Sequence, residues 1–307
     1  MNAIEAVAVE RRYRNRRGVG PVSLEVLPGE RVAIMGSNGA GKTTLMRMLA
    51  TAEPPARGRV AWNGIRSPRA ARKLLGYAPD DAIDTGALSG RQSAHFWCSQ
   101  WMRGGAVRRN VTAALYAFSL DAVADEPLAS YSFGMRRRLL LVQALAHDPE
   151  IALLDEPSAG LDGEGREAVA AAMRERAGRG RTTLIATNDT LLAAGAADRV
   201  VFLHGGHVIR DSTPQRLLAE TRLQRCAELE IVGEPDLRLL GQVRGVGSVV
   251  RHNGTVSVEL RERESLPSLV AAADASGGRL RGLTVREPDL NDSFRILTGF
   301  DLMEEEE

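Results

Sequence analysis

Eight consecutive residues near the N-terminus have the types and spacing needed to bind the phosphates of a nucleotide. They match the pattern G-x-x-x-x-G-K-[ST] and are Gly36, Ser37, Asn38, Gly39, Ala40, Gly41, Lys42 and Thr43. Glycines let the backbone curve closely around an anion, so that successive N–H groups point at phosphate oxygens. The lysine brings positive charge to the terminal phosphates, and the threonine hydroxyl is placed to hold Mg²⁺. The pattern therefore predicts a phosphate-binding loop.

The segments on either side of this loop fit the strand–loop–helix context that the pattern requires. Residues 31–35 form an apolar run, as expected of a buried strand, and residues 44–50 are expected to form a helix that begins with Thr44. That helix would add the partial positive charge of its N-terminus beside the phosphates. The alternative, a chance glycine-rich turn, is weakened by two further motifs.

The second motif places two carboxylates at the end of a short apolar run. Residues 151–154 read as a buried parallel strand, and Asp155 and Glu156 follow directly. Ligands bind at the carboxyl ends of the strands in such sheets. Asp155 is therefore predicted to support Mg²⁺, and Glu156 to polarise an attacking water.

The third motif, residues 131–139, opens a helix about twenty residues before that strand. Ser132 is suited to cap the helix, whose N-terminus can face an anion. Because this helix does not adjoin the chain's own phosphate loop, the motif suggests use in trans, toward a nucleotide held by a second subunit.

Together the motifs resemble the ATPase subunits of ABC transporters, over residues 3 to about 218. The resemblance makes residues 36–43 the Walker A motif, residues 151–155 the Walker B motif and Glu156 the catalytic glutamate. It implies ATP as substrate, Mg²⁺ as cofactor, and two ATPase subunits that sandwich two nucleotides. Tyr13 matches the adenine-stacking aromatic, Ser132 and Gly134 match positions of the signature sequence, and Asp162 matches a position of the D-loop.

A narrower resemblance is to the drug-resistance, or type-2 exporter, branch of this family. It is carried by the Y-S-x-G-M-R-R-R-L signature at 131–139 and by the sequence of residues 288–299. The resemblance implies partnership with separate membrane permeases of about six spans each. It also implies a peripheral location at the cytoplasmic face of the inner membrane.

Three positions depart from the family pattern. Phe133 stands where the signature has glycine, Asp80 stands at the glutamine-loop position that contacts the metal, and Asn188 replaces the switch histidine of the catalytic set. Asparagine is shorter than histidine and cannot become cationic. The departures predict slow turnover and leave two explanations open: tolerated drift in a homodimer, or a heterodimer with a second ATPase.

Composition sets bounds on the remaining possibilities. The 307 residues suit about two domains, and a net charge of +1 gives no global field that favours nucleic acid as a partner. The N-terminus lacks the features of a signal peptide, and no apolar stretch is long enough to span a bilayer. Cys98 and Cys226 form no disulfide framework and suit a reducing compartment.

The alternating strand and helix patterns predict an α/β ATPase domain over residues 1–222, with a helical subdomain at about 86–135. Residues 69–75 are expected to be helical. Residues 226–307 predict a small α+β domain in the ferredoxin-like order β-α-β-β-α-β, with a hairpin at Asn253 and Gly254. His204 and His207 favour a hairpin turn over a metal site.

Three classes of function remain in view. The first is an ATP-hydrolysing motor of an exporter, which Lys42 and Glu156 favour. The second is an ATP-clamping regulatory subunit that hydrolyses little, which Asn188 and Phe133 favour. The third, a nucleic-acid-acting ABC protein, is disfavoured because the chain has no second ATPase domain, no long coiled coil and no basic domain.

The basic run at residues 11–17 is interpreted as a solvated turn rather than as a phosphate- or membrane-facing patch, because short runs of charge usually face solvent.

Overall fold

A computed structural model describes residues 1–13, 18–80, 87–221, 225–252, 255–262 and 264–303 of the chain. It divides into two compact units. The first comprises Met1–Pro214 together with Phe300–Glu307, and the second comprises Gln215–Gly299. The hairpin turn predicted at Asn253 and Gly254 lies outside the described ranges, as do residues 14–17 of the basic run, residues 222–224 and residues 304–307.

The first unit is built on a six-stranded sheet in the order β5-β6-β7-β3-β8-β9. All neighbouring strands in it are parallel except β8 and β9, which form an antiparallel hairpin. The central strands are apolar and buried on both faces, as the sequence of a parallel sheet requires. The strand bounds are β3 Arg31–Gly36, β5 Leu75–Ala78, β6 Ile151–Asp155, β7 Thr182–Ala186, β8 Arg199–His204 and β9 His207–Ser212.

A second, antiparallel sheet in this unit has the order β2-β1-β4. Its strands are β1 Ile4–Arg12, β2 Gly18–Val26 and β4 Arg57–Trp62. Apolar side chains of both sheets and of helix α1, Lys42–Leu49, form one buried core, in which Leu45, Met46 and Leu49 have no exposed surface. The helix that carries the phosphate-loop lysine is therefore held by the core on which both sheets pack.

The remaining helices of the first unit begin with short α2, Pro68–Ala71. Then come α3 Gly90–Cys98, α4 Gly105–Ala117 and α5 Phe133–Leu145, which pack on one another as the predicted helical region. Helices α6 and α7 span Gly163–Gly178 and Thr190–Ala196. Helix α8, Pro214–Thr221, begins at the last residue of the stretch Met1–Pro214 and otherwise belongs to the second unit. No helix within the described ranges has both the length and the apolar character of a membrane span.

The second unit has the predicted order β-α-β-β-α-β followed by a last helix. Its sheet is antiparallel throughout, with the order β11-β12-β10-β13, and one face packs against a separate apolar core. The fold class predicted from the sequence is thus confirmed. The elements are β10 Arg225–Val232, α9 Leu237–Gly241, β11 Val246–His252, β12 Thr255–Leu260, α10 Ser265–Ala275, β13 Arg279–Arg286 and α11 Leu290–Thr298.

A buried ionic cluster explains the sequence that precedes α11. Asp292 has no exposed surface and accepts two hydrogen bonds from the Arg286 guanidinium, at 2.7 and 3.0 Å, and a third from Arg295 at 3.1 Å. It also accepts the backbone N–H of Asp289, whose own side chain caps the helix. This reciprocal capping box fixes the start of α11. The arginines hold the pKa of Asp292 below its usual value despite the opposing effect of burial.

Three local predictions are corrected or refined by the structure. The helix expected at residues 69–75 ends at Ala71, and Leu75 begins strand β5, which the sequence analysis missed. Four residues such as Leu75–Ala78 are too few for periodicity to distinguish a strand from a turn. The hairpin predicted at the two histidines is confirmed, since His204 pairs with His207 in the β8–β9 ladder. Both cysteines are buried and unlinked.

Candidate active site

The predicted phosphate loop joins β3 to α1 at the carboxyl end of the parallel sheet. Gly41, the last residue before the helix, has φ +96°, and a Cβ there would lie 2.6 Å from the carbonyl oxygen of Gly18. Glycine is therefore required both by backbone conformation and by space. Lys42 is 7% exposed and donates hydrogen bonds to the carbonyls of Gly36 and Ser37, at 2.6 and 3.2 Å.

A cavity of about 570 Å³ opens above this loop. It brings together residues that the sequence analysis singled out from five separate stretches of the chain. Among those predictions, the ones that line it are Tyr13, Asn38, Gly39, Gly41, Lys42, Thr43, Thr44, Asp80, Glu156 and Asn188. Three lining residues were not predicted as site residues: Gly18, beside the loop, Ala159, between Glu156 and Asp162, and Met303, near the C-terminus.

Asp155, at the end of β6, is a buried carboxylate with no well-formed hydrogen bond among the described residues. It is 1% exposed, and burial raises its pKa to about 6, against the stabilising effect of the nearby Thr43 hydroxyl. The adjacent charges of Asp80 and Glu156 raise this pKa further. An unpartnered buried carboxylate beside a threonine hydroxyl is an oxygen donor set of the kind that Mg²⁺ takes. The residues therefore fit the magnesium site predicted for them.

Glu156 follows Asp155 in an uncommon backbone conformation. Its φ of +47° lies in the left-handed region, which costs a non-glycine residue about 1–3 kcal/mol and is often found at functional sites. Its backbone N–H donates to the carbonyl of Ala186, at 2.8 Å, which holds the residue in place. Burial raises the pKa of the side chain, while Lys42, the N–H of Asn188 and the hydroxyl of Thr187 oppose the rise. A carboxylate in this setting is suited to accept a proton.

Asn188 lies just beyond β7 and connects two parts of the site. Its side-chain Nδ2 donates to Oδ1 of Asn38 in the phosphate loop, at 3.3 Å, and to the carbonyl of Leu302, at 2.8 Å. Its backbone N–H faces the carboxylate of Glu156. Asn188 thus contacts the phosphate loop through its side chain and Glu156 through its backbone.

Arg137 is an important residue that the sequence analysis did not identify. Its guanidinium is 3% exposed, binds the carboxylate of Asp80 at 2.6 Å, and donates to the carbonyls of Pro79 and Asp155 at 3.1 and 3.2 Å. It therefore connects helix α5 to the glutamine-loop position and to the Walker B strand. The only available signal was the three-arginine run at 136–138, which by itself indicates a solvated face.

Tyr13 is held at the edge of the cavity by two neighbours. Its hydroxyl donates to the Glu53 carboxylate at 2.6 Å, and the Arg11 guanidinium lies 5.8 Å from the ring centroid. The side chain is 37% exposed. The ring therefore has a fixed position and an accessible face, as a base-stacking aromatic requires.

Four of the predicted signature and D-loop positions do not line the cavity. Ser132 caps α5 by accepting the N–H of Met135, and Asp162 caps α6 and binds Arg138. Gly134 is in the first turn of α5. Phe133 is 62% exposed and packs over Gly160, where an added Cβ would lie only 2.4 Å from its ring. The extra ring at the signature position is thus accommodated against the D-loop glycine.

A second, mainly apolar groove lies beside the helical region. It has a volume of about 380 Å³, and we refer to it as the tryptophan groove because Trp97 and Trp101 line it. The Trp101 ring stacks on His147 at 4.4 Å, its Nε1 donates to the carbonyl of Arg72, and it is still 40% exposed. The ring is thus rigidly held with one surface available. Pro79, next to Asp80, also lines this groove.

Comparisons with known proteins agree with this geometry. Residues 19–159 match the sequence family described as ABC transporter. The chain is 32% identical over 312 residues to the daunorubicin resistance ATP-binding protein DrrA3 of Streptomyces coeruleorubidus, covering 97% of this chain and 96% of that protein. It is 30% identical over 308 residues to the Nod factor export ATP-binding protein I of Rhizobium etli, covering 97% and 94%.

A solved structure of the ATP-binding subunit of an ABC transporter has the same fold. The TM-score is 0.66 at 26% sequence identity, over 71% of this chain and 92% of that one.

Replacing Lys42 with alanine is expected to weaken binding of Mg-ATP at least tenfold, or about 1.4 kcal/mol. The buried ammonium is the cavity's main cation, and no arginine lines the cavity among the described residues. Lys73, the chain's only other lysine, is exposed, so Lys73→Ala is a matched control for loss of a lysine. Affinity measured by calorimetry should fall for the first variant alone. Equal affinity in both would contradict the assignment.

Proposed function

The chain belongs to the ABC transporter family, among its exporter-type ATP-binding subunits, and we propose that it hydrolyses ATP to drive export through a separate membrane permease. The observation that carries the proposal is the meeting, in one cavity, of the phosphate-loop lysine Lys42, the switch position Asn188 and the carboxylate of Glu156. A site built only to hold a nucleotide has no need of a carboxylate kept in a strained conformation.

Each residue has a distinct task in the proposed reaction. The loop N–H groups and Lys42 bind the phosphates of ATP, and the N-terminus of α1 adds favourable charge. Thr43 and Asp155 are the pair we propose for Mg²⁺, which when bound would neutralise charge on the phosphate oxygens. Asp80, also expected near the metal, is bound by Arg137 and would have to give up part of that ion pair to serve as a ligand.

Glu156 is proposed as the residue that orients water and accepts its proton. The neighbouring Asn188 N–H, Thr187 hydroxyl and Lys42 favour its ionised form, while burial keeps its pKa above the ordinary value. A base whose pKa is raised toward neutrality binds the proton more readily in the transition state. Its fixed backbone limits the directions from which water can approach.

Changing Glu156 to glutamine is expected to lower ATP hydrolysis by about 100-fold or more while Mg-ATP still binds, because the amide keeps the shape but cannot accept the proton. Glu150 directly precedes the same strand and is exposed, so Glu150→Gln is the matched control. Phosphate release and nucleotide affinity would be measured on each protein. A wild-type chain that binds ATP yet hydrolyses no faster than Glu156→Gln would instead support the regulatory, ATP-clamping alternative.

We further propose that the active complex contains two ATPase subunits. The capped N-terminus of α5, with Ser132 and Gly134, does not line this chain's own cavity and presents the exposed Phe133 ring. A second subunit placed against it would bring its own phosphate loop to that helix end. In a homodimer both sites would face Phe133 and rely on Asn188, whereas a heterodimer with a second ATPase would restrict these departures to part of the assembly.

Phe133→Gly and Asn188→His should raise turnover if two copies of this chain form the working dimer. Groups that stabilise developing charge each contribute about tenfold to a thousandfold in rate, so the double variant is expected to gain at least tenfold. The measurement is ATPase activity of the chain purified with its permease. The same pair of changes in a Glu156→Gln background controls for activity from another source. Fast wild-type turnover with no gain from either change would contradict a defective homodimer.

The tryptophan groove is proposed as the docking site of the permease. It combines apolar lining with a rigid, partly exposed Trp101 ring, a residue type common at the energetic centres of interfaces. Its lining residue Pro79 adjoins Asp80, so contact at the groove is next to the nucleotide cavity. We accordingly propose a peripheral location at the cytoplasmic face of the inner membrane. Nucleic acid is not a proposed partner.

Cysteine cross-linking would locate the permease contact. Phe96 in α3 is 55% exposed and packs edge-to-face on Trp97, so Phe96→Cys places a thiol beside the groove. Leu239→Cys in the second unit is the control, and the two native cysteines are buried. With a short bifunctional reagent, the first variant should cross-link to the coexpressed permease and the second should not. Cross-links from Leu239→Cys alone would contradict docking at the groove.

A further inference from the structure

The last described residues of the chain return to the nucleotide cavity. We call residues 300–303 the C-terminal segment. The Phe300 ring lies 5.3 Å from that of His204 at the end of β8, Leu302 is 1% exposed, and Met303 is among the residues that line the cavity. Burial of Leu302 thus anchors the segment within the first unit and holds its backbone at the site.

This segment binds the catalytic-site amide of Asn188. The side-chain Nδ2 donates one hydrogen to the Leu302 carbonyl at 2.8 Å and the other to Oδ1 of Asn38 at 3.3 Å. A carboxamide nitrogen has two hydrogens to donate, and both are used here. Rotating the amide by half a turn would set its oxygen against the Leu302 carbonyl, so the contact also fixes which end of the amide faces the segment.

An ionised phosphate oxygen can only accept hydrogen bonds. It can therefore bind the Asn188 side chain only through the two Nδ2 hydrogens, because the amide oxygen is also an acceptor. Asn188 therefore cannot bind the terminal phosphate of ATP while it donates to both Asn38 and Leu302. One of these bonds must be given up. The Asn38 bond is made within the phosphate loop itself, whereas the Leu302 bond is made to a segment outside the loop, so loss of the Leu302 bond frees a hydrogen without changing the loop. The segment and the terminal phosphate therefore compete for one donor.

We propose that the C-terminal segment is an autoinhibitory strap that holds Asn188 until the terminal phosphate of ATP displaces it. The inference rests on the proposed ATPase function of this site. The device distinguishes ATP from ADP, because ADP lacks the phosphate that competes for the amide. Binding of ATP releases the segment, and hydrolysis followed by phosphate release lets it return.

Hydrogen–deuterium exchange on the unmodified chain tests release of the strap directly. The probes are Mg²⁺ with AMP-PNP, a non-hydrolysable ATP analogue, and Mg²⁺ with ADP, each at saturating concentration. Peptides that contain residues 300–303 should exchange faster with AMP-PNP than with ADP or without nucleotide. Equal exchange in all three states, with both nucleotides bound, would overturn the proposal.

A point substitution measures the strength of the competition. Leu302→Ser removes the buried anchor without adding charge, and Leu297→Ser removes an exposed leucine from α11 as the matched control. Releasing one competing hydrogen bond should tighten AMP-PNP binding about threefold to tenfold in the first variant. ADP affinity, and both affinities of the control, should not change.

A double-mutant cycle assigns the effect to the amide. In an Asn188→Ala background Leu302→Ser should no longer alter AMP-PNP affinity, because the donor for which the two acceptors compete is absent. A gain that persists in that background, or weaker binding by Leu302→Ser, would show that the segment supports the site in another way, and the strap would be rejected.

These outcomes separate failure of the strap from failure of the proposed function. If the wild-type chain binds neither Mg-AMP-PNP nor Mg-ADP, the nucleotide site itself is wrong. If the wild-type chain binds both nucleotides and Lys42→Ala binds them at least tenfold more weakly, the nucleotide site is supported. If exchange then does not respond to AMP-PNP and affinity does not respond to Leu302→Ser, only the strap is rejected.

Discussion

The parallel hydrogen bonding of β3, β7 and β6 is the constraint on which the site depends. Ile34 pairs with Ala186, and Asp155 pairs with the same residue from the other side. The ladder continues one step further, because Thr187 donates to Ile34 and Glu156 donates to Ala186, at 3.0 and 2.8 Å. The three chain segments therefore leave the sheet at one level, which places the phosphate loop, the acidic pair and the switch position around a single cavity.

Charges in this site are held by neighbours from distant parts of the chain. Arg137 on α5 binds Asp80 and the backbone at the end of β6, so movement of the signature helix would be felt at the acids that flank the nucleotide. Arg137 is 3% exposed whereas the Asp80 side chain is 47% exposed, so the ion pair is only partly buried, and the backbone hydrogen bonds to Pro79 and Asp155 also hold the guanidinium. Arg137 therefore gives a direct physical connection between helix α5 and the end of strand β6, which Glu156 follows, and its acceptor Pro79 also lines the tryptophan groove.

The departures from the family pattern acquire a structural context. Phe133 rests on Gly160, a glycine whose φ of +69° and lack of a side chain leave room for the ring. Asn188 reaches the backbone of Leu302 with a side chain whose nitrogen donates and never accepts. Both residues thus contact neighbouring segments of the chain and affect how these segments are held. This is a reason to regard them as parts of a working variant of the site.

The sequence by itself determined the α/β fold, the phosphate loop, the Walker B acids and the order of elements in the second unit. These features are encoded locally: glycine, lysine and threonine at fixed spacing, apolar runs of strand length, and helices marked by capping residues such as Ser132 and Asp289. Short β5 was missed because four residues carry too little periodicity. Only the tertiary structure decided the roles of Arg137, Gly160 and Leu302. Arg137 lies 18 positions from Asp155 in the chain, and Leu302 lies 114 positions from Asn188. The acceptor in each of these contacts is a backbone carbonyl, which every residue type has, so no pattern of side chains could have revealed either contact.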